Sequence, residues 1–181
     1  RFLSTTWGPI LVTLLLGLPR LRFPIGDDAA FFSNAARVIL DGGVLHRDIW
    51  YSVFPLNALL YAAGGSVVGV NTMMPHLVYL LESMLGAALV YVAGHLALGR
   101  LHAVVGAYIF GVSSMLFTAF DHVAEPESLA GLGGTATTIL FLVFLPRLEG
   151  QSRRWDLAVL GAGIATGVAI AAKPVAGPLA V

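Results

Sequence analysis

The fold class is decided by residues 77–98, which read LVYLLESMLGAALVYVAGHLAL. Apart from Glu82 and His95, this stretch consists of apolar, small and weakly polar residues. A helix needs about 20 such residues to cross the hydrocarbon core of a bilayer, which is about 30 Å thick. Residues 77–98 are therefore predicted to span a membrane. An ionisable residue inside a span is a functional candidate, although Glu82, about one turn from the outer end, would also reach water.

Four further stretches are apolar enough to span a bilayer, and they cover about residues 2–18, 101–120, 128–145 and 155–172. Only 11% of the 181 residues are charged and 57% are apolar, whereas a soluble domain carries about 25% charged residues. These values predict an all-α protein, a polytopic transmembrane helical bundle. It would pass several times through the plasma (cell) membrane and contact membrane lipids.

Charge and cysteine content exclude several classes of function. Ten basic and ten acidic residues give a formal net charge of zero, so no global field would attract nucleic acid. The absence of cysteine excludes disulfides, thiolate metal sites and a cysteine nucleophile.

The sequence begins at Arg1 without a methionine and stops at Val181 inside a new apolar stretch. Residues 1–181 are therefore expected to be the N-terminal transmembrane module of a longer protein.

A long connection, about residues 19–75, separates the first two predicted spans and has a length typical of functional loops. Two amphipathic juxtamembrane helices are predicted in it. The first covers about residues 29–40 and ends at Gly42 and Gly43, since glycine is favoured just past a helix. The second covers about residues 54–70, which could alternatively form a short span. The apolar face of the first helix holds Phe31, Phe32, Ala35, Val38 and Ile39, and its polar face holds Ser33, Asn34, Arg37 and Asp41.

The distribution of basic residues predicts a topology. Arg147, Arg153 and Arg154 lie between the last two predicted spans and indicate a cytoplasmic loop. Counting back from that loop, the 19–75 connection lies outside the cell if residues 54–70 do not cross. Three polar clusters then share the outer face: residues 27–51, residues 121–127 and Lys173. In a chain with so little charge, this clustering indicates a site at the outer surface.

The first cluster contains Asp27 and Asp28, near the predicted start of the first amphipathic helix. A carboxylate there could act as a general base toward an acceptor hydroxyl or bind a cation. The structural alternative is an N-cap, in which an aspartate accepts backbone N–H bonds and complements the helix dipole. Capping needs only one of the two aspartates, so both interpretations stay open.

The second cluster contains Arg47 and Asp48, close in sequence to Trp50 and Tyr51. An arginine–aspartate pair beside interfacial aromatic residues could hold an anionic headgroup. The alternative is an aromatic belt at the membrane surface, from which charged side chains reach into water. Composition alone favours the belt.

The third cluster contains Asp121, His122, Glu125 and Glu127. Carboxylate oxygens and a neutral imidazole are suitable ligands for a divalent metal ion. The spacing matches no specific metal signature, so a solvated loop is the alternative. Lys173 follows an apolar stretch, where it would either reach back to the membrane surface or bind a phosphate.

As an ordered set, these residues resemble the first outer loop of integral-membrane GT-C glycosyltransferases. The branch concerned is similar to protein mannosyltransferases and aminoarabinose transferases. The resemblance covers nearly the whole chain. Two departures are an Asp27-Asp28 pair where the family often has Asp-Glu, and an alanine before Lys173 where it has threonine. The matching residues are Asp28-Ala-Ala-Phe-Phe, Ala-Ala-Arg37, Gly42-Gly-Val-Leu-His-Arg47-Asp48-Ile-Trp, Phe54-Pro-Leu, an acidic residue after the third span, and Ala171-Ala-Lys173-Pro.

The resemblance implies transfer of a sugar from a polyprenyl-phosphate-linked donor to a hydroxyl of a protein, lipid or glycan acceptor on the outer face. It assigns the general base to Asp28, with Asp27 as the alternative, and neutralisation of the leaving phosphate to Lys173 and Arg47. A divalent metal ion would be held by Asp28, Asp121, His122 and Glu125. The candidate substrate-binding residues are Arg37, Arg47, Asp48, Tyr51, Glu125, Glu127 and Lys173.

The competing hypothesis is a non-enzymatic polytopic membrane protein, either a transporter or a subunit of an envelope complex. Transporters place polar residues near the bilayer midplane on broken helices, whereas the predicted spans carry almost no charge there. A structural subunit would have no need for clustered carboxylates. The sequence therefore favours the glycosyltransferase.

Overall fold

The computed structural model describes residues 7–51, 55–116, 131–139, 163–165 and 167. Within these ranges the regular structure is helical, apart from an isolated parallel bridge between Leu45 and Ile49. The all-α prediction is confirmed for this part of the chain. The helices are α1 (Trp7–Gly17), α2 (Asp27–Leu40), α3 (Leu56–Val68), α4 (Met73–Leu98) and α5 (Arg100–Leu116), with a 3₁₀ turn over Leu18–Arg22 after α1.

Helix α4 contains the stretch that predicted a membrane span, and it begins at Met73, four residues before the predicted start. The side-chain oxygen of Asn71 accepts the backbone N–H groups of Met73 (2.9 Å) and Met74 (3.1 Å), which satisfies donors that a helix start leaves open. Pro75 fits this first turn because a backbone N–H there would have no helical partner. The 26 residues of α4 give a length of about 39 Å.

By length and composition, α4 is the one helix among the described residues that by itself could cross a membrane. The segments Trp7–Arg22 and Asp27–Leu40 add a second candidate only if they are taken together as one span, and they are bent by 84° relative to each other. Helices α3 and α5 are apolar but shorter. The helical character of the predicted bundle is thus confirmed, and its number of crossings stays a prediction.

The other predicted spans are described in part. Helix α1 has 11 residues, from Trp7 to Gly17, within the predicted span 2–18. Helix α5 covers most of the predicted span 101–120. The predicted spans 128–145 and 155–172 are helical at 131–139, at 163–165 and at 167, and the rest of each lies outside the described residues.

Helices α4 and α5 pack side by side and run antiparallel, because a single residue, Gly99, joins them. A Cβ atom added to Gly94 would lie 2.9 Å from the Cα of Ala103, and one added to Gly86 would lie 2.6 Å from the ring of Phe110. Gly94 lies opposite Ala103, and the earlier residue Gly86 lies opposite the later residue Phe110, as expected for antiparallel helices. Glycine therefore lets the two backbones approach closely. Helix α1 packs against both.

The 19–75 connection folds into a pair of packed helices, α2 and α3, and α3 also contacts α4. The ring of Phe32 on α2 meets the ring of Tyr61 on α3 edge-on, with 5.6 Å between centroids. Small residues around this contact let the helices approach. The two predicted juxtamembrane helices are confirmed as helices with changed bounds: α2 begins two residues before the predicted 29–40, and α3 is two residues shorter than 54–70 at each end.

The predicted polar face of α2 is wrong at Ser33, which is buried. The Ser33 hydroxyl donates a hydrogen bond to the carbonyl oxygen of Ala29 at 2.6 Å. Because this bond satisfies the hydroxyl within its own helix, the side chain can pack inward as an alanine would. Asn34 and Arg37 are exposed, as predicted.

Large apolar side chains are exposed along the outer faces of α1, α4 and α5. Along each helix they recur at intervals of four or seven residues, which places those of one helix on a common side. An extended apolar surface of this kind marks contact with a membrane or with another protein. These residues are Leu11 and Leu15 on α1, Leu81, Leu85, Val92 and Leu96 on α4, and Leu101, Val105 and Ile109 on α5.

Candidate functional site

Asp27 and Asp28 are the first two residues of α2, and the residue before them, Gly26, is the N-cap. The interpretation of an aspartate as the N-cap is therefore wrong. Both carboxylates are exposed, and within the described ranges neither makes a hydrogen bond or an ion pair. They complement the positive end of the α2 dipole, and otherwise they are available to a ligand.

The two aspartates differ in their position around α2. The residues of α2 that face the protein interior include Ala29, Phe32 and Ala36. At 100° per residue, Asp28 lies about 70° from the centre of this buried face, whereas Asp27 lies on the opposite side of the helix. Asp28 therefore borders the packed body of the protein, and Asp27 points away from it.

The segment just before α2 is hydrogen-bonded to the ends of two other helices. The carbonyl oxygen of Phe23 lies 3.1 Å from Nε2 of His76, in the first turns of α4. The buried guanidinium of Arg20 donates hydrogen bonds to the carbonyl oxygens of Ser114 (3.3 Å) and Met115 (3.4 Å), in the last turn of α5. These bonds place the two aspartates at the end of the bundle where α4 begins and α5 ends.

The far end of α2 is closed by a glycine in the left-handed conformation. Gly42 has φ 81°, its N–H donates to the carbonyl of Ile39 at 3.1 Å, and the N–H of Gly43 donates to the carbonyl of Val38 at 2.8 Å. This is the Schellman arrangement, which satisfies carbonyls at a helix end. The predicted helix end at these glycines is confirmed.

Arg47 and Asp48 form an ion pair with each other, with Nη2 and Oδ2 2.7 Å apart. Asp48 also accepts the backbone N–H of Val44 at 2.7 Å. The guanidinium and this N–H hold the pKa of the Asp48 carboxyl below its usual range, and the carboxylate in turn raises the pKa of Arg47. The Asp48 carboxylate thus connects Arg47 and the backbone of Val44 within the loop after α2. Arg47 keeps 68% of its side-chain surface exposed, so it presents positive charge outward.

Tyr51 is a packing residue of this loop, since only 3% of it is exposed. Its ring stacks on Phe31 with 5.3 Å between centroids, and His46 meets it edge-on. Burial raises the pKa of Tyr51 to about 12, an effect only partly offset by the nearby backbone of Ala58, to which the hydroxyl forms no hydrogen bond of good geometry. The predicted role of Tyr51 in direct substrate binding has no support from this position.

The candidate residues do not all come together. Asp28 is in the first turn of α2 and Arg37 is in its last turn. Nine residues separate them, which is about 14 Å along the helix axis. The remaining candidates, Asp121, His122, Glu125, Glu127 and Lys173, lie outside the described residues.

Of the four residues expected to hold a divalent metal ion, Asp28 is the one that lies among the described residues. Among the described residues, no group of three or more histidine, aspartate or glutamate side chains is placed to hold a metal ion. The other three expected ligands lie outside the described residues, so the metal site stays a prediction.

Sequence reasoning missed a buried polar face on α4. His76, Tyr79, Glu82 and Ser83 are all buried, at the spacing of one helical side. The hydroxyl of Tyr79 donates to the carbonyl of Ser114 at 2.9 Å, and the guanidinium of Arg20 lies 5.4 Å from the centre of the Tyr79 ring. The signal in the sequence was the three- to four-residue spacing of these polar side chains.

Glu82 lies in the middle of a helix and not near its end. It comes nine residues after the start of α4 and is 8% exposed. With Ser83, it lines a cavity of about 320 Å³ bounded by α4, by α5 and by the helical residues 131–139, which we call the α4–α5 cavity. The expectation that Glu82 reaches water one turn from a helix end is wrong, because Asn71 starts the helix earlier.

Comparison with known proteins gives no relative. No protein family, no curated protein and no solved structure matches this chain.

Proposed function

We propose that this chain is the N-terminal membrane module of a GT-C type glycosyltransferase, which transfers a sugar from a polyprenyl-phosphate donor to an acceptor hydroxyl at the outer membrane face. One observation carries the proposal. Two adjacent carboxylates, Asp27 and Asp28, stand exposed at the start of α2 without a structural partner among the described residues. A general base needs this freedom to reach the proton that it removes.

The exposed apolar faces, the lengths and the relative directions of the helices support a membrane location. The exposed apolar faces of α1, α4 and α5 suit a bundle that crosses the bilayer several times, in the plasma (cell) membrane. The 13 residues of α3 span about 20 Å, which is short for a bilayer core of about 30 Å. If α1 runs along the membrane normal, the 84° bend lays α2 along the membrane surface. Both loop helices therefore suit the surface.

In the proposed reaction, the acceptor hydroxyl attacks the anomeric carbon of the donor sugar. Asp28 takes the hydroxyl proton as the new C–O bond forms, and the bond between the sugar and the lipid phosphate breaks. The phosphate leaves with the electron pair of that bond. Arg47 and Lys173 would stabilise its growing negative charge. Asp28 suits the role better than Asp27 because it borders the packed face of α2.

The test uses the longest natural form of the protein, in membranes, with radiolabelled polyprenyl-phosphate sugars as donors. Asp28→Asn keeps the shape of the side chain and removes the base, so we expect release of lipid phosphate to fall by about 10²- to 10⁴-fold. Asp41→Asn removes an exposed carboxylate at the opposite end of α2 and is the matched control, with turnover unchanged. Turnover by folded Asp28→Asn at the wild-type rate would contradict the assignment and turn attention to Asp27.

The second candidate remains a non-enzymatic membrane protein, and the position of Glu82 favours it. A buried carboxylate beside a cavity within a long apolar helix is typical of substrate or ion pathways. The same donor assay separates the two hypotheses. A folded wild-type protein that consumes no polyprenyl-phosphate sugar favours the non-enzymatic alternative.

A further inference from the structure

The α4–α5 cavity is large enough for a small molecule. Its volume of about 320 Å³ is within the range of about 300–1,000 Å³ that is common for ligand pockets. Glu82 and Ser83 of α4, Ser114 of α5 and Thr135 line its polar part, and Val90, Phe110 and Leu132 line its apolar part. None of these residues belongs to the proposed transferase site.

The polar wall of this cavity consists mainly of hydrogen-bond acceptors. The Ser114 hydroxyl donates its proton to the carbonyl of Gly111 at 3.1 Å, and the Thr135 hydroxyl donates to the carbonyl of Gly131 at 2.8 Å. A hydroxyl has one proton, so each can take part in a further hydrogen bond only as an acceptor. Together with the Glu82 carboxylate, they form a surface that suits a ligand with hydrogen-bond donors.

Ser83 provides a second, independent indication of a ligand. Its side chain is 4% exposed and lines the cavity. Within the described part of the chain, its hydroxyl makes no hydrogen bond, not even to the carbonyl one turn earlier in α4. The Ser83 hydroxyl opens onto the cavity, where it can donate or accept a hydrogen bond. It is therefore available to a polar group bound there.

We propose that the α4–α5 cavity binds a small organic cation, a protonated primary amine with a compact apolar body. The ammonium group would lie against Glu82 and donate its three N–H bonds to the carboxylate and to the neighbouring hydroxyl oxygens. The apolar body would contact Phe110, Val90 and Leu132. A bare metal ion would leave most of the volume unfilled, and a carboxylic acid would bring a like charge to Glu82.

The first experiment measures binding of radiolabelled benzylammonium to the wild-type chain in lipid nanodiscs, with benzyl alcohol and benzoate as competitors. The three probes have nearly the same size and differ in charge. We expect benzylammonium to bind at least about tenfold more tightly than benzyl alcohol, because its hydrogen bonds to the carboxylate are charge-assisted. Benzoate should not compete. Equal competition by the alcohol, or no saturable binding of the amine, would overturn the proposal.

The second experiment locates the site. Glu82→Gln keeps the size of the side chain and removes its charge, so we expect benzylammonium affinity to fall by about 10- to 100-fold while benzyl alcohol affinity changes little. Asp41→Asn is the matched control, because it removes an exposed carboxylate far from the cavity. Size exclusion and helical circular dichroism check the fold of each variant. If Glu82→Gln does not fold, Ser83→Ala replaces it, with an expected loss of a few-fold. Unchanged amine affinity in the folded variant contradicts the assignment.

Discussion

At the scale of single residues, environment separates side chains that look alike in the sequence. Asp28 and Asp48 both belong to the 19–75 connection, but only Asp48 has partners: Arg47 and the backbone N–H of Val44. Tyr51 was grouped with the charged residues because it follows them, and it is instead buried in an aromatic cluster. Neighbours in sequence therefore divide into exposed groups that can meet a ligand and groups that hold the loop.

Tyr51 predicts a loss of stability at alkaline pH. Its pKa is raised to about 12 in the folded protein, from about 10 in an unfolded chain. Because the unfolded state releases this proton first, the stability from neutral Tyr51 is full below pH 10 and is lost progressively as the pH rises toward 12. Tyr51→Phe cannot ionise, so its thermal midpoint should fall less than that of the wild type between pH 10 and 12.

The measurement is thermal unfolding by circular dichroism in detergent at steps from pH 9 to 12. Tyr91→Phe removes a different tyrosine, outside the aromatic cluster of the loop, and serves as the matched control. It should follow the wild-type curve. If Tyr51→Phe and Tyr91→Phe gave the same alkaline profile, ionisation of Tyr51 would not be the cause of the loss of stability.

At the scale of helices, periodicity predicted α2 and the length of an apolar stretch predicted α4, and longer-range contacts decided what these patterns missed. The bounds of α4 shifted because the Asn71 side chain caps it upstream of the apolar stretch. Ser33 was placed on the polar face by its type, but the carbonyl of Ala29 satisfies its hydroxyl. The burial of Arg20 depends on carbonyls 94 and 95 residues further along the chain. No local pattern in the sequence contains that information.

The contact between α4 and α5 gives a matched pair of glycine substitutions. A Cβ on Gly94 would lie 2.9 Å from the Cα of Ala103, which is closer than real contacts, whereas a Cβ on Gly106 would lie 3.6 Å from Val90. We expect Gly94→Ala to reduce the free energy of unfolding by about 1–3 kcal/mol, because backbone must move. Gly106→Ala should be neutral or stabilising, since alanine favours helix.

Chemical denaturation of the two glycine variants in the same detergent tests the packing of α4 on α5. The substitutions are chemically identical and lie on the same pair of helices, so differences in helix propensity cancel. Equal effects on stability would show that the helices are further apart than described.

At the scale of the whole molecule, the distribution of exposed apolar residues separates two regions. α1, α4 and α5 carry apolar outer faces, whereas α2 exposes Asn34 and Arg37 and α3 exposes Leu59 and Val67 among small residues. The sequence predicted this difference from the length of the apolar stretches and from the apolar and polar faces of residues 29–40. It did not predict the α4–α5 cavity, since a cavity depends on how three segments fit together and not on the pattern of any one.

A matched pair of leucine substitutions tests which helices face lipid. Leu85 on α4 and Leu59 on α3 are about equally exposed, at 52% and 50%. Arginine at the centre of a membrane span costs about 2.5–3.5 kcal/mol. Leu85→Arg should therefore reduce the fraction of protein that resists carbonate extraction from membranes, and Leu59→Arg should leave it unchanged. The opposite result would show that α3 crosses the bilayer.

The hydrogen bonds from Arg20 to the end of α5 have a consequence for the timing of synthesis. The carbonyl acceptors of Arg20 belong to Ser114 and Met115, so they do not exist when the arginine leaves the ribosome. At about 5–20 residues per second, translation of the 94 residues in between takes about 5 to 20 s. During that interval the guanidinium must stay hydrated or bound to another partner. The turn that follows α1 can therefore reach its final packing only after α5 has been made, which sets an order of assembly for these two parts of the chain.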